Sequence, residues 1–115
     1  MIIAIDGPAA AGKSTVARAV ARALGLRFLD TGAMYRGITW KVLREGVDPR
    51  DSRECTRIAE ETELSFDPLG RVLVDGLDGE PHVRNYEVTL NVSHVAAHSG
   101  VREAVVPQQR RCAVE

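Results

Sequence analysis

The run Gly7-Pro8-Ala9-Ala10-Ala11-Gly12-Lys13-Ser14 fits the spacing G-x-x-x-x-G-K-[ST] at every fixed position. Glycines so placed let the backbone turn tightly, so that successive N–H groups line a concave anion site at the start of a helix, whose dipole adds positive potential. Lys13 would reach the β- and γ-phosphates of a nucleoside triphosphate as a point charge, and the Ser14 hydroxyl would sit on Mg²⁺. Thr15 closes the run as a packing or capping residue, and Gly7 through Thr15 are read together as the ATP-binding set. A ligand-free glycine turn would account for Ala9-Ala10-Ala11 but not for the Lys-Ser pair or its distance from both glycines. ATP is therefore the expected ligand, with the fate of its γ-phosphoryl group left open by this motif.

A second stretch, Asp30-Thr31-Gly32-Ala33-Met34-Tyr35-Arg36, falls where a second strand should end. Ligand-binding groups gather at that edge of open α/β sheets. The Thr31 hydroxyl and the Arg36 fork could hold a second anion opposite the first, as a phosphoryl acceptor requires. Taken alone, Arg36 would suit a surface salt bridge equally well; its closeness to the phosphate loop favours the ligand. Trp40 and Met34 read as core.

Such groups need a sheet edge and helices to carry them. Ile2-Ile3-Ala4-Ile5 is a short β-branched run of the kind buried in a parallel sheet. From Lys13, Val16, Val20 and Leu24 recur at helical spacing and Gly25 stops them, after which Leu26 to Leu29 predicts a strand. Residues 2 to 29 thus form a β-α-β unit. After Asp30-Thr31-Gly32 a helix is expected with Met34, Ile38 and Val42 on one face and Gly46 at its end. Asp48-Pro49 opens a third, carrying Cys55, Ile58, Ala59 and Thr62. Leu64 and Phe66, a Pro68-Leu69-Gly70 turn, then Val72 and Val74 predict an antiparallel hairpin, and Asp78-Gly79 a further turn. Two last helices are expected. One is capped by Asn85 and carries Val88, Val92, Val95 and Ala96; the other is capped by Ser99, carries Val101, Ala104, Val105 and Gln108, and is kinked by Pro107.

The chain has 115 residues, 44% apolar and 27% charged, which suits one globular domain. Its net charge of −1 argues against a general nucleic-acid binder. Residues 1 to 44 hold seven basic and two acidic side chains, whereas residues 45 to 82 hold four and eleven, an acidic middle that reads as solvated helix surface. Met1 to Ile5 meets Asp6 without a charged leader, and no apolar stretch is long enough for a membrane span, so a cytoplasmic protein is expected. Cys55 and Cys112 are too few for a disulfide framework and read as reduced. His94 and His98 stand at i and i+4 but lack the Glu of H-E-x-x-H, so the three histidines read as exposed rather than zinc-binding. Only two parallel strands are visible and the chain ends while still helical, so it is expected to be the N-terminal part of a longer α/β protein.

The sequence resembles the bacterial cytidylate kinases, of the nucleoside monophosphate kinase group. The matching segments are Ile5-Asp6-Gly7-Pro8 with Gly12-Lys13-Ser14-Thr15, Leu29 through Arg36, Asp75-Gly76 with Asp78-Gly79, Val83-Arg84, Val92-Ser93-His94-Val95-Ala96-Ala97, Val101-Arg102-Glu103-Ala104 and Gln109-Arg110-Arg111. Tyr86 and Pro107 depart from the family's pattern. The resemblance implies transfer of the ATP γ-phosphoryl group to CMP or dCMP, with Mg²⁺, by an enzyme that is a monomer when complete. It implies that Thr31 and Arg36 help to hold the acceptor nucleotide and its phosphate, and that Ser93 and Arg102 contact the cytosine. In the fold it implies, residues 1–30 are part of a phosphate-loop core with a parallel sheet. Residues 31–115 form a helical acceptor-binding region with a small antiparallel insert at about 64–80. A second half bearing the lid is not in this sequence, so residues 1–115 are expected to be inactive or very weak alone. Another small-molecule kinase with the same phosphate loop is one competing reading, which would not explain Ser93, Arg102 or the insert; a non-catalytic nucleotide-binding or assembly module is the other, which the missing lid and sheet strands would permit.

Overall fold

Strand β1 (Ile2–Ile5) and strand β2 (Arg27–Asp30) pair in parallel, with Ile2 opposite Arg27 and Ile5 opposite Asp30. The computed structural model of the chain describes residues 2–5 and 27–113. Parallel neighbours need a long crossover. The helix expected from Lys13 to Leu24 falls outside the described residues.

Helix α1 (Thr31–Arg44) follows β2 with no loop between them, two residues earlier than the sequence suggested. The reason is Asp30, which ends the strand and caps the helix at once: its carboxylate accepts from the Ala33 N–H at 3.2 Å. At the other end the chain turns at Gly46, in the left-handed region at φ 72°, and the Val47 N–H returns to the Val42 carbonyl at 3.0 Å. Helix α2 (Ser52–Glu61) begins later than Asp48-Pro49. Asp48 instead folds back on the Arg50 N–H at 2.9 Å, and Asp51 takes the capping position by accepting from Glu54 N–H at 3.1 Å.

Strands β3 (Leu64–Phe66), β4 (Val72–Val74) and β5 (Leu77–Asp78) form an antiparallel sheet in the order β3-β4-β5, so the expected hairpin has a third strand. Asp75 and Gly76, both at positive φ (52° and 81°), make the two-residue turn into β5. The turn expected at Asp78-Gly79 is a strand end instead, and Asp78 accepts from the Glu80 N–H at 3.0 Å as the chain enters the short helix α3 (Glu80–Val83). Helix α4 (Tyr86–Ala97) starts as predicted, with Asn85 accepting from Val88 N–H at 2.8 Å. Helix α5 (Ser99–Ala113) takes in Ser99 as its first residue; the carbonyl that opens it belongs to His98, which accepts from Arg102 N–H at 3.2 Å. Pro107 lies inside α5 without ending it.

The apolar stripes meet in one core. Met34, Ile38 and Val42 of α1 join Cys55, Ile58 and Ala59 of α2, Leu64 and Val74 of the sheet, Val95 of α4, and Val101 and Val105 of α5. Gln108 of α5 is paired within it. The Gln108 side chain accepts from the Leu64 N–H at 2.7 Å and donates to the Thr62 carbonyl at 3.1 Å, tying α5 to the outer edge of β3. Trp40, expected in the core, lies at its rim, its ring stacked on His82 at 4.4 Å with the Arg44 guanidinium 5.4 Å from its centroid. The acidic middle is surface: Arg57 on α2 gathers Glu54, Glu61 and Glu45, and its hydrogen bond to Glu54 holds the guanidinium pKa above its usual value. Among the described residues no helix is long and apolar enough to cross a membrane.

Candidate functional site

The phosphate-loop residues Gly7 through Thr15, Lys13 and Ser14 among them, lie outside the described residues. What the structure does place is the strand that leads into them. Because Ile5 stands opposite Asp30 in the parallel pair, the chain leaves β1 toward Gly7 at the same sheet edge where it leaves β2 into α1. Both sequence motifs therefore start from adjacent strand ends, where open parallel sheets bind ligands.

Thr31 is the first residue of α1 and is 5% exposed, yet among the described residues its hydroxyl has no hydrogen-bond partner. A buried hydroxyl left unpaired costs free energy of the order of a lost hydrogen bond, about 1–3 kcal/mol. It is the kind of group that a bound ligand would satisfy. Asp30, just before it, already fills the start of the helix with its own carboxylate, so an anion here would rely on side chains more than on the α1 N-terminus.

Arg36, half-buried on α1, reaches across to two other elements. Its Nη1 donates to the Val83 carbonyl at the end of α3 at 3.1 Å and to Thr89 Oγ1 on α4 at 3.0 Å. Among the described residues no carboxylate pairs with it. Ser93 stands four residues beyond Thr89 on α4 and is exposed. Arg102 is the fourth residue of α5 and is also exposed. No hydrogen bond joins any two of Thr31, Arg36, Ser93 and Arg102 among the described residues, but Arg36 and Ser93 are brought to one helix through Thr89. The sequence offered no sign of Thr89 or of the Val83 carbonyl, because their pairing with Arg36 spans 53 and 47 residues and follows from packing alone.

Burial, and then the carboxylates of Asp51, Asp48 and Glu54, push the Cys55 thiol pKa above its usual value, which suits a core residue rather than a nucleophile. His82 and His94 are exposed as expected, but His98 is half-buried and its Nε2 lies 2.8 Å from the Pro49 carbonyl.

Comparison with known proteins gives one consistent family. The sequence model described as cytidylate kinase matches residues 3–115. A bifunctional pantoate ligase/cytidylate kinase of Prochlorococcus marinus (strain MIT 9303) is 50% identical over 98% of this chain and 24% of that protein. Proteins of the same description from Synechococcus sp. (strain JA-2-3B'a(2-13)) and from Gloeobacter violaceus are 51% and 46% identical over 95% and 96% of the chain, and 21% and 22% of their own lengths. The chain thus spans less than a quarter of the length of these relatives.

Proposed function

The chain belongs to the cytidylate kinase family, and from that premise we propose that it supplies the triphosphate loop and the acceptor-binding region of an ATP-dependent enzyme that phosphorylates CMP or dCMP. Residues 1–30 are the phosphate-loop part and residues 31–115 the acceptor part, with the antiparallel insert at about 64–80. The observation that carries this reading is the shared sheet edge: Ile5 runs into the loop, Asp30 runs into Thr31 and Arg36, and the two ends are paired neighbours.

Phosphoryl transfer asks little covalent chemistry of a protein, so catalysis is alignment of donor and acceptor plus neutralisation of the charge that spreads over the transferred group. In this reading the backbone from Gly7 to Thr15 cradles the ATP phosphates and Lys13 carries positive charge to the β- and γ-oxygens. The Ser14 hydroxyl is a hard oxygen donor of the kind Mg²⁺ accepts, and the ion bound with ATP would add its charge there. On the acceptor side Thr31, whose buried hydroxyl has no partner among the described residues, and Arg36 hold the phosphate of CMP, while Ser93 and Arg102 hold the cytosine. Nucleotides of the metabolic pool are the partners, the cytoplasm the place of work, and the complete enzyme a monomer.

The test is calorimetric titration of the complete enzyme with CMP and with Mg-ATP, beside Arg102→Ala and Lys13→Ala. The reading expects Arg102→Ala to weaken CMP by about tenfold or more, the loss of a charged hydrogen bond, with Mg-ATP unchanged. Lys13→Ala should abolish transfer. Equal CMP affinity in wild type and Arg102→Ala would remove the cytosine assignment. Residues 1–115 expressed alone should show CMP turnover far below that of the complete enzyme.

A further inference from the structure

Arg36 Nη1 makes two hydrogen bonds at once, one to the Val83 carbonyl and one to Thr89 Oγ1. A terminal guanidinium nitrogen carries two N–H groups, so both of this nitrogen's donors are spent. Three N–H groups remain, one on Nε and two on Nη2. A phosphate is best taken by two parallel N–H groups from one edge of the fork. The end-on edge between Nη1 and Nη2 has lost one of its members to the protein. The side-on edge between Nε and Nη2 is intact among the described residues.

The two acceptors divide the work. The Val83 carbonyl is backbone, next to a side chain only 1% exposed, and fixes where Nη1 sits. One acceptor alone leaves the planar group free to swing about that contact; the hydroxyl on α4 supplies a second fixed point and so sets the plane. Thr89 lies on the helix that also carries Ser93, one turn further on. The same hydrogen bond therefore sets α1 and α4 in register at the two positions assigned to the phosphate and the base.

We infer that Thr89 is a positioning residue for the acceptor phosphate: with the Val83 carbonyl it holds Arg36 so that the Nε/Nη2 edge is the one offered to a phosphomonoester. The inference rests on the CMP-site reading above, and its test separates the two.

The complete enzyme is titrated with CMP, with cytidine and with Mg-ATP, as wild type, Thr89→Val and Thr89→Ser. Thr89 is exposed and valine nearly isosteric, so a thermal melt should show all three folded alike. The expected result is a CMP affinity weakened about five- to tenfold in Thr89→Val, the loss of one hydrogen bond to a charged group, and restored in Thr89→Ser. Cytidine and Mg-ATP should bind all three equally, and in turnover the loss should fall on KM for CMP more than on kcat. A Thr89→Val enzyme that binds CMP like wild type overturns the positioning role and leaves the CMP reading intact. Equal weakening of CMP and cytidine overturns it too, because the hydroxyl would then act on the fold rather than on the phosphate. Wild type that binds Mg-ATP but neither CMP nor cytidine overturns both readings.

Discussion

The His98 imidazole donates from Nε2 to the carbonyl oxygen of Pro49, 2.8 Å away and 49 residues earlier in the chain. His98 also opens α5 through its own carbonyl, which accepts from Arg102 N–H. One residue thus anchors the start of the helix that bears Arg102 to the turn before α2. His98→Ala removes the donor and leaves the carbonyl, which should cost about 1 kcal/mol in a urea melt. A stability equal to wild type would show the contact to be incidental.

Gly100 stands where α5 passes closest to α2. A Cβ built there would lie 2.3 Å from Thr56 Oγ1, 2.6 Å from its Cγ2 and 3.0 Å from its Cβ. Threonine is stiff at χ1 and turning it does not move its Cβ, so the helices must part. Gly100→Ala should therefore destabilise by about 1–3 kcal/mol despite alanine's better helix propensity. Thr56→Ala in the same chain should recover much of that loss, since it removes the two nearest atoms; a double variant no better than the single would refute the steric account.

Ile58 is fully buried where α2, α1 and α5 meet. Truncation to alanine removes three carbons from a fully buried site. Denaturant unfolding of Ile58→Ala should show a loss of about 2–5 kcal/mol.

Asp75 links the β4–β5 turn to α1 through Lys41 and to the chain before β3 through Glu63 N–H at 2.9 Å. Burial by itself would raise its pKa, but the hydrogen bonds from Lys41 and Glu63, with the Lys41 charge, bring it below the ordinary carboxylate value of 3.8. A depressed folded pKa stabilises the fold above the unfolded value and that contribution is lost as pH falls through the folded one. Asp75→Asn is the clean comparison, because asparagine tolerates the positive φ at this position. The stability gap between wild type and Asp75→Asn should be constant from about pH 5 to 7 and close as pH drops below about 4. A gap that persists at pH 2 would mean that shape, not charge, sets it.

Much of this arrangement was legible in the amino-acid order. The stripes Met34-Ile38-Val42, Cys55-Ile58-Ala59 and Val101-Val105 each fall on a helix and meet in the core, because a period of 3.6 leaves little choice of face. Asn85 was legible as a cap since a short polar side chain before an apolar run has a donor waiting for it. Short elements were not. β5 has two residues and α3 four, too few to show a period, and the Asp-Gly pair that turns the sheet is Asp75-Gly76 rather than the expected Asp78-Gly79. Ser99 and His98 exchanged the cap by one position, a backbone matter that residue type does not decide. Thr31, Arg36, Ser93 and Arg102 could be picked out by type and resemblance, but the bond that joins α1 to α4 at Thr89 could not, since it exists only once the helices pack.

The Gln108 amide, finally, gives β3 what a fourth strand would have given it. It offers an acceptor to the Leu64 N–H and a donor to the Thr62 carbonyl, the same pair of groups that a neighbouring backbone presents. Exposed strand edges are templates for unwanted pairing between chains. A helix side chain here covers that edge of β3, occupying two of the backbone groups through which a foreign strand would pair.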